Sequence, residues 1–181
     1  MRFALRRDRL EERKIGVVSG AQMAGALGPK QFGLLLTDLR SIFVLEMVNR
    51  AVVGAALGGV VGGLVASALA TRRNIDYERS DPALLAGRKG SIVIDHSSIH
   101  RIRFKKKLLD IQFVLTIEYA AGGKSRKLRA MLVPSSRNII PPGMAGKDVY
   151  RFLTLSVQDS YRGILPGAVL ARSHWIPELQ V

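Results

Sequence analysis

The chain has 181 residues, 28 Lys and Arg against 14 Asp and Glu, a formal net charge of +14 and no cysteine. Without cysteine there is no disulfide framework, thiol nucleophile or thiolate metal site. The positive charge favours a polyanionic partner, either nucleic acid or the anionic headgroups of a cytoplasmic leaflet.

The first part of the chain predicts a basic arm followed by strands. Residues 1–13 form this arm, which lacks the apolar stretch of a cleavable secretory signal, so we expect an intracellular domain. Strand-forming residues follow through Val18, and a loop rich in Gly and Ala leads to two apolar runs within residues 31–48. The polar segment Thr37–Arg40 separates these runs and predicts a tight hairpin.

Residues 51–70 form an uncharged run, AVVGAALGGVVGGLVASALA, within an insertion that we place at residues 50–73. Small residues recur every four positions, and on a helix such rows lie on one face. This small-xxx-small pattern, a glycine zipper, lets helices approach closely and occurs chiefly in membranes. The predicted packing residues are Gly54, Gly58, Gly62 and Ala66 in one row and Gly59 and Gly63 in the adjacent row.

The length of this run fits a membrane span, whereas its composition makes membrane insertion marginal. As a helix it is about 30 Å long, which is the thickness of a bilayer's hydrocarbon core. Its five Gly and six Ala make insertion without a partner marginal, and each Gly costs roughly 1 kcal/mol relative to Ala in a helix interior. The run therefore requires a close contact, either in lipid or in a buried packing helix of a soluble assembly.

The second half of the chain predicts a short helix, further strands and one long helix. Asp81 is a plausible N-cap with Pro82 at the first helical position. Strands are expected at residues 91–94, 99–104, 111–119 and 127–133, the last two joined by a Gly-containing loop at residues 120–124. From Lys147 an apolar stripe with helical spacing runs to Tyr161. The tail, residues 163–181, carries the only tryptophan and is expected to dock on its own domain.

The order of these elements resembles the bacterial pleckstrin-homology-like family over about residues 14–162. The matching segments are Leu34–Arg40 followed by Ile42–Val44, the pair Leu84 and Leu85 with Gly87, the strand and turn Ile92–Ile99, and Ile117–Tyr119 leading to Gly122–Lys124. The resemblance implies an α+β fold, a partly open antiparallel β-barrel capped by a C-terminal helix, interrupted here by a small-residue apolar helix or helical hairpin. It also implies a binding or scaffolding module and not an enzyme.

This likeness constrains the topology of the apolar run. The strands before and after it would belong to one barrel, so both ends of the run would lie on the same side of a membrane. A single crossing would force the charged residues at positions 76–81 back through hydrocarbon, which is very costly. The remaining options are a hairpin that enters or lies on the membrane, or a helix packed in a soluble oligomer.

Two clusters of basic residues suggest contact with an anionic surface. Each Lys or Arg near an anionic leaflet contributes about 1 kcal/mol. The alternative is a solvated strand edge whose charges block aggregation. The predicted contact residues are Arg72, Arg73, Arg101, Arg103, Lys105, Lys106 and Lys107 around the first cluster, and Lys124, Lys127 and Arg129 in the second.

Nucleic-acid binding and catalysis find less support. Single-strand binders expose aromatic side chains between basic ones, but alternation predicts that Phe104 and Phe113 are buried. His96 and His100 would share a face only on a helix, whereas their surroundings predict strand and turn, so we expect no metal site. No nucleophile motif, P-loop or dinucleotide fingerprint is present, so we expect neither catalysis nor a cofactor.

The sequence therefore predicts a non-enzymatic, membrane-associated binding or scaffolding domain at the cytoplasmic face. Its expected partners are an anionic membrane surface and either a second copy or a membrane protein. One alternative is a single-pass membrane protein with residues 1–50 and 71–181 on opposite sides. Another is a soluble oligomer assembled through the zipper.

Overall fold

The computed structural model of the protein describes residues 12–25, 29–48, 71–72, 74–106 and 112–177, with only the backbone described at positions 48, 71 and 72. The strands are β1 (Lys14–Met23), β2 (Lys30–Thr37), β3 (Arg40–Val48), β4 (Thr71–Arg72), β5 (Ile92–Asp95), β6 (Ile99–Lys106), β7 (Phe113–Ala121) and β8 (Lys124–Leu132). The helices are α1 (Pro82–Ala86), α2 (Lys147–Ile164) and α3 (Gly167–Arg172), and a 3₁₀ turn spans His96–Ser98.

The strands form one antiparallel sheet with a C-terminal helix. This arrangement confirms the predicted α+β class. The strand order is β4-β3-β2-β1-β8-β7-β6, and β5 pairs with the first residues of β3. Val48 and Thr71 are paired neighbours on β3 and β4, so the chain leaves the sheet and returns to it at one place. The predicted zipper helix lies between them, outside the described residues. None of the helices in the described ranges has the length and hydropathy to cross a bilayer.

The two predicted hairpins are present: the first is as tight as predicted, and the second is tighter. Only Asp38 and Leu39 separate β2 from β3, and the Thr37 hydroxyl accepts hydrogen bonds from the Leu39 and Arg40 amides. The predicted five-residue loop at residues 120–124 is wrong. Gly122 and Gly123 alone form the turn, both at positive φ (58° and 72°), because this turn geometry matches the twist of the flanking strands.

The sheet opens between β1 and β8. Their pairing is limited to Ala21 with Leu132 and Gln22 with Met131. Gly20, at φ 95°, lies at a bulge, where a Cβ would meet the Val133 carbonyl oxygen at 2.0 Å. Pro134 then ends β8, as predicted, because proline has no N–H for a further ladder bond. The N-terminal part of β1 is consequently unpaired on the side facing α2.

The helix α2 closes the open side of the sheet. Its buried residues include Leu153, Val157 and Tyr161, three of the predicted stripe, and they join the main core with side chains from β1, β2 and β6–β8. A smaller core lies on the outer face of β2 and β3, where Ile75, Tyr77 and Leu85 cover the sheet. The helix α1 begins as predicted, because the Asp81 carboxylate accepts from the Ala83 amide at 2.7 Å.

The tail docks on its own domain, which confirms that prediction for the described residues. The His174 amide donates to the Ile102 carbonyl at 2.9 Å, and the Phe104 amide donates to the His174 carbonyl at 3.1 Å. The Trp175 ring lies 5.8 Å from the Phe104 ring, and Ile176 is buried in the main core. This segment extends the edge of β6.

Candidate functional site

The outer face of β6, β7 and β8 carries a concentration of positive charge. Antiparallel pairing aligns Arg103 with Thr116 and Thr116 with Arg129, and it aligns Arg101 with Glu118 and Glu118 with Lys127. Since side chains two apart share a face of a strand, Lys105 joins them. We call this set the basic face: Arg101, Arg103, Lys105, Lys127 and Arg129 around Thr116 and Glu118.

One end of the basic face is internally neutralised. The Glu118 carboxylate lies 3.1 Å from Lys127, 3.6 Å from Arg103 and 3.9 Å from Arg101. The hydrogen bond from Lys127, aided by the nearby arginines, lowers the pKa of Glu118. A single carboxylate among five cations leaves a net charge of +4 on this face.

The other end of the basic face forms a shallow groove of about 380 Å³, lined by Arg103, Lys105, Lys106, Thr116 and Arg129 among others. Among the described residues, no carboxylate lies within ion-pair distance of Lys105 or Arg129. Guanidinium forks and ammonium groups are the usual protein ligands of phosphate. The groove therefore has the chemistry to hold an anionic headgroup.

The structure brings together only part of the predicted contact set. Lys106 alternates to the other side of β6, although it lines the end of the groove. Lys124 lies next to the Gly122–Gly123 turn, and strand alternation places it on the face opposite Lys127 and Arg129. Outside the described residues lie Arg73, Lys107, the side chain of Arg72 and the zipper positions Gly54, Gly58, Gly59, Gly62, Gly63 and Ala66.

No protein-family model matches this sequence, and a search of curated proteins finds no similar sequence. Among solved structures, the chain is similar to the hSac2 domain from the human phosphoinositide phosphatase Sac2, with a TM-score of 0.45 and 12% sequence identity over 94% of this chain and 80% of that one. A likeness this distant does not define a function.

A buried polar cluster joins three elements that the sequence analysis did not connect. The Ser41 hydroxyl lies 3.0 Å from His96 Nε2 and 2.9 Å from the Tyr161 hydroxyl. All three side chains are buried, and Ser41 is fully enclosed. A serine beside a histidine is the pairing of a nucleophile and its base, but a substrate cannot reach a hydroxyl that is fully enclosed. The cluster therefore ties β3, the His96 turn and α2 together.

His96 makes the stability of the fold sensitive to acid. Burial lowers the pKa of His96 against the pull of Asp95, Asp38 and Glu12, so the folded chain keeps it neutral to lower pH than the unfolded chain does. Below the unfolded value of about 6.5 the unfolded chain binds the proton first. Stability is therefore present above that pH and is lost as the pH falls toward the lower folded pKa.

We expect the urea midpoint, followed by Trp175 fluorescence, to fall as the pH is lowered from about 7.5 to 5.5. Because a single proton is involved, the free energy of unfolding changes by at most about 1.4 kcal/mol per pH unit. His96→Gln should remove most of this dependence, whereas His100→Gln, at an exposed position, should retain it. Equal pH dependence in both variants would show that His96 is not responsible.

Glu46 is the centre of a second buried cluster that the sequence did not reveal. It is only 3% exposed and lies on the outer face of β3. Its carboxylate accepts from the Ser19 hydroxyl at 3.0 Å, the Tyr77 hydroxyl at 2.8 Å and, at 3.5 Å each, Arg137 Nη1 and Gln31 Nε2. Burial first, and the Glu46 charge second, raise the pKa of Tyr77, so the phenol stays a donor.

A glycine in β2 makes room for this cluster. A Cβ at Gly33 would lie 1.9 Å from the Tyr77 hydroxyl oxygen and 2.7 Å from Glu46 Oε1. The absence of a side chain at Gly33 allows Tyr77 to lie across the sheet and reach Glu46. The segment that follows β4 is thereby fixed to the outer face of β1–β3.

An ion pair between Arg40 and Glu12 explains why a threonine and an arginine flank the first hairpin. Arg40 donates to both oxygens of Glu12, at 2.8 Å and 2.6 Å, and the Thr37 hydroxyl donates to Glu12 at 2.6 Å. Burial opposes ionisation of Glu12, but these hydrogen bonds outweigh it and lower the pKa of Glu12.

No set of three His, Asp or Glu side chains converges as a metal site in the described part of the chain.

Proposed function

We propose that this protein is a pleckstrin-homology-like, non-enzymatic scaffolding domain that binds an anionic membrane surface at the cytoplasmic face. In this proposal the sheet is a partly open barrel, with α2 as its cap. The observation that carries the proposal is the basic face, with five cations and one carboxylate on three adjacent strands.

The basic face suits a membrane better than it suits single-stranded nucleic acid. Phe104 and Phe113 are 6% and 2% exposed, so neither is free to stack with a base. Lys and Arg side chains that project from a sheet reach headgroups at similar depth, and each contributes about 1 kcal/mol. Several together give reversible binding that salt weakens.

The apolar insertion supplies the second membrane contact in this proposal. Paired residues of antiparallel strands lie about 4.5–5.5 Å apart, and Val48 is paired with Thr71. A single crossing would instead separate the two ends by about 30 Å. The pairing therefore favours an insertion that departs and returns on one side of the membrane over a single-pass arrangement. A soluble oligomer formed through the zipper is the competing arrangement.

Vesicle co-sedimentation tests the proposal. The full chain is expected to bind vesicles of phosphatidylcholine with phosphatidylglycerol far better than vesicles of phosphatidylcholine alone. Raising the salt from about 0.1 M to 0.5 M should weaken this binding, because exposed charges are screened. Equal binding to neutral vesicles, or tight binding to single-stranded DNA with no vesicle binding, would contradict it.

A further inference from the structure

We infer that the groove between β1 and α2 binds an extended peptide segment of a partner protein, one that carries apolar and basic side chains. This β1–α2 groove encloses about 570 Å³, within the usual range of ligand sites. Its lining includes Val17, Ser19, Ile75, Glu78, Ile139 and Leu153. It is built from elements other than the basic face, so the inference is independent of membrane binding.

The first observation is an unpaired strand edge along the groove. The Ser19 amide donates to the Asn138 side chain at 2.9 Å, and the Asn138 amide group donates to the Ser19 carbonyl at 3.0 Å. Both backbone groups of Ser19 therefore face away from β2. The β1–β2 register continues without a shift from Ser19 to Val17, so alternation also directs the Val17 N–H and C=O into the groove.

The Asn138 side chain thus makes the two hydrogen bonds to Ser19 that a neighbouring strand would make. The backbone N–H and C=O of Val17 have no such partner among the described residues. A free edge of this kind accepts an extended chain through main-chain hydrogen bonds, and adjoining pockets select its alternate side chains. The free edge ends at Gly20, whose carbonyl accepts a hydrogen bond from the Val133 amide at 3.0 Å, so only a short segment can pair with β1.

The second observation is apolar surface on both sides of this edge. Val17 is 40% exposed and Ile139 is 90% exposed, although both line a groove whose floor includes the buried Leu153. Phe152 is only partly covered on the helix side. An apolar side chain of a bound peptide would cover these surfaces together.

The third observation is the charge of the groove in a chain that is otherwise strongly basic. Asp76 and Glu78 line it. The Asp76 carboxylate lies 3.9 Å from the exposed Arg79, whereas no described cation forms an ion pair with the Glu78 carboxylate. Arg137, which also lines the groove, is engaged by Glu46 and Asn74. The Lys14 ammonium is held by the carbonyls of Tyr77 and Glu78, at 2.9 Å and 2.6 Å. The Glu78 carboxylate therefore favours a peptide with Lys or Arg beside its apolar residues.

Amide hydrogen exchange of the full chain tests this inference at a single residue. The probe is an N-acetylated, C-amidated octapeptide that alternates Val with Lys, and the control peptide replaces every Lys with Glu. We expect the Lys peptide to slow exchange of the Val17 amide at least tenfold. The Glu peptide should leave Val17 unchanged even if it binds the basic face.

Two variants separate the groove from general binding. Val17→Pro removes the donor at an edge position, where proline is tolerated, and should weaken binding of the Lys peptide about tenfold. Ile139→Ser removes exposed apolar surface from the groove without touching the core and should also weaken it. Leu84→Ser is the matched control, because Leu84 is 70% exposed but lies on α1, outside the groove.

Three results would overturn the inference. One is an unchanged Val17 exchange rate at saturating Lys peptide. The second is equal loss of affinity in Ile139→Ser and Leu84→Ser. The third is slowed Val17 exchange without peptide, either on raising the protein concentration or on adding anionic vesicles, because the occupant would then be a second copy or lipid.

Discussion

Replacing Lys105 and Arg129 together with glutamine is expected to weaken binding to anionic vesicles about thirtyfold. Both side chains are exposed on the basic face, and no described carboxylate pairs with either. Each should contribute about 1 kcal/mol at an anionic leaflet, and a loss of about 2 kcal/mol is roughly a thirtyfold change in the dissociation constant. Folding should be little affected, because neither side chain is part of the core.

The matched control is the double variant Lys124→Gln and Arg126→Gln. It removes the same charge from β8, but alternation places these residues on the opposite face from Arg129. Binding to vesicles containing phosphatidylglycerol is compared at one salt concentration for both double variants. If the two lose equal affinity, net charge and not the basic face determines binding. If neither loses affinity, the membrane contact lies elsewhere.

Glu46→Ala is expected to destabilise the fold by about 3–5 kcal/mol. The variant leaves a buried tyrosine hydroxyl, a serine hydroxyl and the Arg137 guanidinium without their shared acceptor. Removing a buried charged acceptor is costly because the donors that it satisfied stay desolvated, and Arg137, whose side chain is 23% exposed, loses its carboxylate partner as well. For a domain of this size the loss corresponds to a fall of about 10 °C in the melting temperature, measured by Trp175 fluorescence.

Two further variants show whether the burial of Glu46 causes the expected loss of stability. Glu118→Ala removes a carboxylate that also has cationic partners but lies on the surface, so it should cost less than about 1 kcal/mol. Tyr77→Phe removes one hydrogen bond of the Glu46 cluster and should cost about 1–2 kcal/mol. A cost for Glu118→Ala equal to that for Glu46→Ala would contradict the argument from burial.

The features that the sequence predicted correctly are those that depend on nearby residues. The Asp81 cap, the turn after Thr37 and the stripe on α2 each depend on spacings of two to four residues. Alternation likewise predicted the burial of Phe104 and Phe113. The loop at residues 120–124 was predicted too long, because two adjacent glycines can form a turn alone at positive φ.

The sequence predicted the two groups of basic residues but not their arrangement on one face. Arg101, Arg103 and Lys105 are close along the chain, and so are Lys127 and Arg129. Their union across β7, and the position of Glu118 among them, depend on strand register. A shift of one residue would turn each set to the other face of the sheet.

The sequence by itself determined the class of the fold, the positive charge and the local turns and caps, because these follow from short-range sterics, periodicity and composition. The tertiary structure decided the partners of Glu46, whose hydrogen bonds join it to Tyr77 and Arg137, 31 and 91 residues away. It also decided the contact of Ser41 with His96 and Tyr161 and the free edge of β1 at Val17. Strand order and the path of the covering segments bring these groups together, and no local pattern encodes a contact between residues so far apart in the chain.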